Sequence, residues 1–340
     1  MSWHAYKILA HRDKIEAIKR GEWIIPLYAV LQLSFACNQN CKSCAFAEWN
    51  KSNFIPDRID AFKIVDRLID YGIMNFELSG GGEPTTLPYF NDLLKHILER
   101  GANFALLTNG YNLDDEAINL IAKNAIFCRI SLETGDMNLY SRYKRVPHFM
   151  FSEVIGNIKK LLKSKSPDTE ISLKFDVDKN LNYEQHIKAS FDLACQLGVD
   201  LASFKSMTGE TELSDSEKIE AEYLLNKLIK DNHSKVKFIN SIFYNRDVPK
   251  CWLNQLHTVI DGRGNVYLCC YYYRDDAHKR EDMCIGNILD KPFKDIWETD
   301  EHKNKIAGIN PVNCAKFDCK YFSHHRIVNE AFKKGRMEIV

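Results

Sequence analysis

In YAVLQLSFACNQNCKSCAF, residues 28–46, an apolar run of strand length leads straight into Cys37, Cys41 and Cys44, spaced C-x3-C-x2-C. Five more runs of the same kind follow: MNFELS (74–79), NFALLT (103–108), FCRISLE (127–133), ISLKFDV (171–177) and LASFKSM (201–207). Between them lie stretches such as DAFKIVDRLIDYG (60–72), apolar at three- and four-residue steps and closed by glycine, which is how a helix reads. Short strands alternating with helices are the pattern of βα units around a parallel sheet. Six units within 28–210 predict an α/β chain whose main domain is a partial (β/α)6 TIM-like barrel. The cysteine loop, following the first strand, then falls at the C-terminal mouth, where such barrels do their chemistry.

Residues 1–27 read as an N-terminal extension. After 210 the register changes: a polar helix, DSEKIEAEYLLNKLIKDN (215–232), is expected within a helical linker over 211–245. Six of the eleven cysteines crowd into 246–340. There HTVIDGRGNVYLCC (257–270) reads as two short strands around a glycine turn and PFKDIWET (292–299) as a short helix, which predicts a small cysteine-rich α+β domain with a C-terminal helix.

Acidic and basic side chains balance at 46 each without a basic block, which argues against a nucleic-acid partner. No uncharged apolar run is long enough to span a membrane, and the charged N-terminus lacks the apolar core of a signal peptide, so a cytoplasmic protein is expected. In a reducing compartment eleven cysteines point to metal or catalysis rather than disulfides. Three thiolates hold three irons of a [4Fe-4S] cluster and leave the fourth open to a ligand, whereas electron-transfer clusters have four cysteines. The spacing also suits a zinc site completed by a distant histidine or cysteine.

Further motifs follow in order: GGGEP (80–84) after the second strand, Thr108-Asn109-Gly110 ending the third, Ser131-Leu132-Glu133 ending the fourth. Together with the cysteine loop they resemble the radical S-adenosylmethionine (SAM) superfamily, over about residues 28–325. The resemblance implies that Cys37, Cys41 and Cys44 carry the cluster and that Gly81, Gly82 and Glu83 line the site of the SAM amino group, where glycine lets backbone approach a ligand. Thr108, Asn109, Ser131 and Glu133 are implied as SAM-contacting strand ends, and Arg142 as the partner of the SAM carboxylate, which its fork suits. One departure is Ser43, before the last cysteine, where the family has an aromatic residue against adenine; that contact then falls to Phe46 or another side chain.

From Cys251 onward the tail resembles the twitch or SPASM-type auxiliary domain of some radical SAM enzymes. This implies a second [4Fe-4S] cluster on Cys251, Cys269, Cys314 and Cys319, with Cys270 as an alternative to Cys269 on the opposite face of a strand. The closing pair is C-x4-C where the family more often has C-x2-C, and zinc is the alternative metal. Cys128 and Cys195 read as packing residues. Cys284 falls in a polar loop as a ligand, a spare thiol or a hydrogen-atom donor. Tyr271–Arg274 and His324-His325 read as a partly exposed strand and a solvated helix start, or else as pocket lining.

The resemblance thus implies reductive cleavage of SAM to a 5'-deoxyadenosyl radical, two [4Fe-4S] clusters and SAM as cofactors, and a low-potential flavodoxin or ferredoxin as electron donor. The 18-residue step from Cys251 to Cys269 is similar to that of small twitch-domain enzymes that oxidise or epimerise sugars and aminocyclitols. Only 36 residues precede Cys37, too few for the peptide-binding domain that maturases often add. The expected activity is therefore dehydrogenation of a sugar- or aminocyclitol-like small molecule. An epimerase using a cysteine hydrogen donor and a peptide maturase are the enzymatic alternatives, an iron-sulfur carrier and a zinc-stabilised interaction protein the non-enzymatic ones.

Overall fold

The computed structural model describes residues 3–42, 44–179, 183–207, 212–242, 250–270, 280–315, 319 and 321–331. Six strands stand side by side in chain order, all parallel: β1 (Tyr28–Gln32), β2 (Asn75–Leu78), β3 (Asn103–Thr108), β4 (Phe127–Glu133), β5 (Glu170–Val177) and β6 (Leu201–Ser206). They are the six strands expected, and with their helices they form the partial barrel. The helix Arg58–Tyr71 shows why the pattern holds. The Asp57 carboxylate accepts the Asp60 N–H (2.8 Å) at its start, Gly72 closes it in a left-handed turn (φ 104°), and Ala61, Ile64, Val65 and Leu68 are buried between.

Because alternate strand residues face opposite sides, register fixes what each face carries. The in-register row Leu31, Leu78, Leu106, Cys128 and Ile171 is fully buried on one face. The residues between belong to the other face, and there stand Glu77, Arg129, Lys174, Asp176 and Lys205. A sheet with its helices on one side can carry charge only on the other, so the barrel interior is polar.

Two features go beyond the expectation. The segment read as a helical linker holds the helix Asp215–Lys230 and then β7 (Lys237–Ser241), which pairs parallel with β6. KFINS has too few apolar residues to announce a strand; the open edge of β6 supplies its hydrogen bonds. At the other edge, β8 (His257–Asp261) pairs parallel with β1 from Tyr28↔His257 to Gln32↔Asp261. It is followed by antiparallel β9 (Asn265–Tyr267) and β10 (Cys284–Asn287), so the cysteine-rich tail continues the barrel's own sheet. The N-terminal residues Ile8, Ile15 and Ile18 share a second core with Trp252, Phe322 and Val328 of the tail. No helix among the described residues is long and apolar enough to cross a membrane.

Candidate active site

The loop after β1 is held from two sides. Ser34 O accepts the Gly82 N–H (2.6 Å) and Ala36 O the Glu83 N–H (2.8 Å), while the Asn40 and Lys42 N–H groups donate to Lys144 O (3.2 Å) and Tyr143 O (3.0 Å) at the end of the helix Met137–Lys144. A Cβ on Gly82 would lie 2.0 Å from Ala36 O, and one on Gly81 would lie 2.3 Å from the Phe35 ring. The approach of chain to chain is thus by itself enough to require the glycines. Cys37 and Cys44 accept the Gln39 and Phe46 N–H groups, and the half-buried Phe46 side chain packs against the main core. Burial pushes the Cys37 thiol up to about 12 and raises Cys41 and Cys44 as well; Cys41 and Cys44 add to the rise at Cys37, as neighbours in space do. A metal must therefore displace protons to bind them.

Glu83 is buried, and its carboxylate accepts from Thr85 N (3.3 Å), Thr85 Oγ1 (2.9 Å), Thr108 Oγ1 (2.6 Å) and Asn109 N (2.7 Å). Burial raises its pKa against these hydrogen bonds. The side chain clamps the GGGEP loop to the end of β3.

Next to it lies a charged cluster. β4 bulges between Ser131 and Glu133, and Glu133 takes a left-handed conformation (φ 70°), uncommon for a residue with a side chain. Its carboxylate stands between Lys144 Nζ (3.4 Å) and Lys174 Nζ (3.1 Å); Lys144 also donates to Ser131 O (2.7 Å), and Lys174 Nζ is 2.6 Å from Asp176 Oδ1. Against the cost of burial, Lys174 and Lys144 hold Glu133 well below the usual carboxylate range. Burial and then the Glu133 charge push Asp176 up to about 7. Burial opposes the charge on Lys144, yet Cys41 and Glu133 raise its pKa. Behind the cluster, buried His186 has Nδ1 3.0 Å from Thr134 Oγ1 and Nε2 against Asp176 O, and burial lowers its pKa. Arg142, the cation expected here, is exposed on the same helix; the buried cation is Lys144, with 2% of its surface exposed. In SRYKR (141–145) only the phase of the helix on the barrel decides which cation turns inward, and the sequence does not show that phase. Lys174 and Asp176 left a signal, two charges at period two in the otherwise apolar ISLKFDV.

In the tail, Cys251, Cys269, Cys314 and Cys319 line one cavity together with apolar side chains such as Leu253, Ile309 and Phe322. Burial pushes Cys314 up to about 11 and raises Cys251 and Cys319. Cys269 and Cys270 follow β9 instead of lying in it, so strand alternation does not separate them. Cys269 lines the cavity, while Cys270 stands near enough to raise Cys314 and Cys319. Cys284 begins β10, where a polar loop was expected, and packs against the main core, its thiol donating to Gly286 O (3.7 Å). His325, expected at a solvated helix start, is buried on the cavity wall. Cys128 is fully buried and Cys195 packs half-buried against the core. Ser43 and Tyr271–Arg274 lie outside the described residues.

Two family models match the chain: the Radical SAM superfamily over residues 31–189 and the SPASM iron-sulfur cluster-binding domain over 251–321. The chain belongs to the radical SAM superfamily. This radical SAM chain is 24% identical over 296 residues to the tungsten-containing aldehyde ferredoxin oxidoreductase cofactor-modifying protein of Pyrococcus furiosus, covering 81% of the chain and 82% of that protein. It is 23% identical over 328 residues to the AdoMet-dependent heme synthase of Methanosarcina barkeri, covering 87% and 89%. The crystal structure of Streptococcus suis SuiB bound to S-adenosylmethionine shares the fold, with a TM-score of 0.66 at 17% identity, covering 92% of this chain and 75% of that one.

As a radical SAM enzyme with a SPASM domain, the protein takes [4Fe-4S] clusters and SAM. The residues present suit both. Soft thiolates are the ligands iron-sulfur clusters use, and the four tail thiols surround a space. Beside the first three thiols lie buried groups of both signs, Glu83 and Lys144, as a zwitterionic methionine group requires.

Proposed function

We propose that this enzyme oxidises a polar small molecule, sugar- or aminocyclitol-like, by hydrogen-atom abstraction followed by electron transfer to a second cluster. The observation that carries this reading is the pairing of β8 with β1, which seats the four-cysteine cavity on the same sheet as the three-cysteine loop, a sheet whose inner face carries charged side chains on β2, β4, β5 and β6. Bound and reduced on Cys37, Cys41 and Cys44, a cluster would supply the electron that splits SAM into methionine and a 5'-deoxyadenosyl radical.

In this reading Cys37, Cys41 and Cys44 hold three irons. Lys144, in place of Arg142, takes the SAM carboxylate, and Glu83 Oε2, which has one protein donor in Asn109 N–H, faces the ammonium together with Gly81 and Gly82. Thr108, Asn109 and Ser131 bound the cofactor from the strand ends, and Glu133 keeps Lys144 and Lys174 charged in a buried place. Cys251, Cys269, Cys314 and Cys319 hold the second cluster, a low-potential flavodoxin or ferredoxin feeds the first, and Cys284 is a spare thiol. Loss of a hydrogen atom, an electron and a proton is a two-electron oxidation.

The test is 5'-deoxyadenosine formation by the anaerobically reconstituted, reduced protein against sugars, aminocyclitols and synthetic precursor peptides. Stimulation by the small polyols, with an oxidised product that Cys284→Ala still forms, is expected. Stimulation by peptides alone would assign a maturase. Solvent deuterium at an inverted carbon, lost in Cys284→Ala, would assign an epimerase.

A further inference from the structure

The helix Phe322–Ala331 begins just beyond the segment matched by the SPASM family model and grips the residue after Cys251 twice. The Trp252 backbone N–H donates to His325 Nδ1 (3.1 Å), and one turn further on Asn329 Oδ1 accepts the Trp252 indole N–H (2.8 Å). Only 2% of His325 is exposed, and it lines the four-cysteine cavity. A backbone N–H can only donate, so Nδ1 carries the lone pair and the single proton of the neutral ring stands on Nε2. Nε2 lies 3.9 Å from the Cys251 sulfur. The same sulfur accepts the backbone N–H groups of Leu253 and Asn254.

Hydrogen bonds to ligand sulfurs draw charge off the thiolate, favour the reduced cluster and fix the orientation of the ligand. We propose that His325 is a positioning residue of the second cluster: its Nε2–H donates to Cys251, holds that ligand's rotamer and raises the cluster's reduction potential, so that the cluster accepts the electron left on the substrate more readily. Trp252 and Asn329 set the tautomer and the height of the ring. The inference rests on the proposed assignment of Cys251 as a ligand.

The experiment is an EPR-monitored redox titration of the full-length, anaerobically reconstituted protein and two variants. His325→Phe removes the donor at similar volume, and His325→Gln returns a side-chain N–H. The second cluster's midpoint should fall in His325→Phe, stay close to the parent's in His325→Gln, and leave the first cluster's midpoint unmoved in both. Equal midpoints in all three proteins at full iron content would overturn the proposal. So would loss of the second cluster in both variants alike, which makes His325 a ligand or a packing group. Independently of any variant, pulsed EPR of the parent grown with 15N-histidine should show a weak nitrogen coupling to the reduced second cluster; no coupling, or one as large as a directly bound imidazole gives, overturns it. A parent protein with a single EPR-active cluster overturns the ligand assignment itself, and is thereby distinguished from failure of the hydrogen bond alone.

Discussion

Cys37, Cys41 and Cys44 come from one short loop and sit among charges, Lys144, Lys174, Glu133 and Glu83, whereas Cys251, Cys269, Cys314 and Cys319 are gathered from separate parts of the tail into a cavity walled by Leu253, Ile309 and Phe322. Burial raises thiols in both groups, so the difference lies in what surrounds them. A site that must admit a zwitterion keeps buried groups of each sign, braced against one another so that neither is stranded in a low dielectric. A site whose ligand set is closed, as proposed for the second group, needs no such charges, and apolar side chains line it together with Asn254, His257 and His325.

If the two groups are independent in this way, replacing Cys37, Cys41 and Cys44 by alanine removes about four of about eight irons and abolishes SAM cleavage. Iron assay and chromatography of 5'-deoxyadenosine check it; SAM cleavage surviving in the triple variant would break the comparison at its first term. Next in size, Lys144→Ala should weaken SAM binding by roughly 2 to 5 kcal/mol, the cost of removing one partner of a desolvated charge pair, while Arg142→Ala leaves the affinity near the parent value. Titration calorimetry reads both, and equal losses would return the carboxylate contact to the exposed turn of the helix.

The loop that presents the first group depends on chain-to-chain approach. Gly82→Ala, whose Cβ meets Ala36 O, should therefore cost about 1 to 3 kcal/mol in urea unfolding. Gly156→Ala, in the helix His148–Ser164 with nothing within 4 Å of the added carbon, should stabilise by about 0.5 to 1 kcal/mol. Destabilisation of similar size by both would remove the special role of the GGGEP contact.

The last effect is on pH dependence. Asp176 is raised from 3.8 to about 7 by burial and the Glu133 charge, so the fold prefers its protonated form. That contribution is full below about pH 4 and is lost as pH rises toward 7. Asp176→Asn should flatten the decline in the urea midpoint over this window; a decline of the same slope in the variant would show that the charged cluster does not couple to stability.

Legibility in the sequence followed the range of the interactions. The six strands could be read because each buries one face on its neighbouring helices, and that alternation is written within a few residues. KFINS (237–241) could not, since its strand is made by the edge of β6 rather than by its own side chains. The cysteine loop and GGGEP were visible as motifs, but the reason for the glycines was not: Gly82 meets Ala36, some forty-six positions earlier.

By itself, then, the sequence determined the βα order, the two cysteine groups and membership of the superfamily, all of which rest on residue type and short spacing. Tertiary structure decided that Lys144 and not Arg142 enters the barrel, that Cys269 and Cys270 both stay near Cys319, that His325 lies beside Cys251, and that β8 extends the sheet from β1. Each of these depends on the phase of a helix or the partner of a strand edge, and both are set by which surfaces meet when the whole chain packs, not by the residues on either side in sequence.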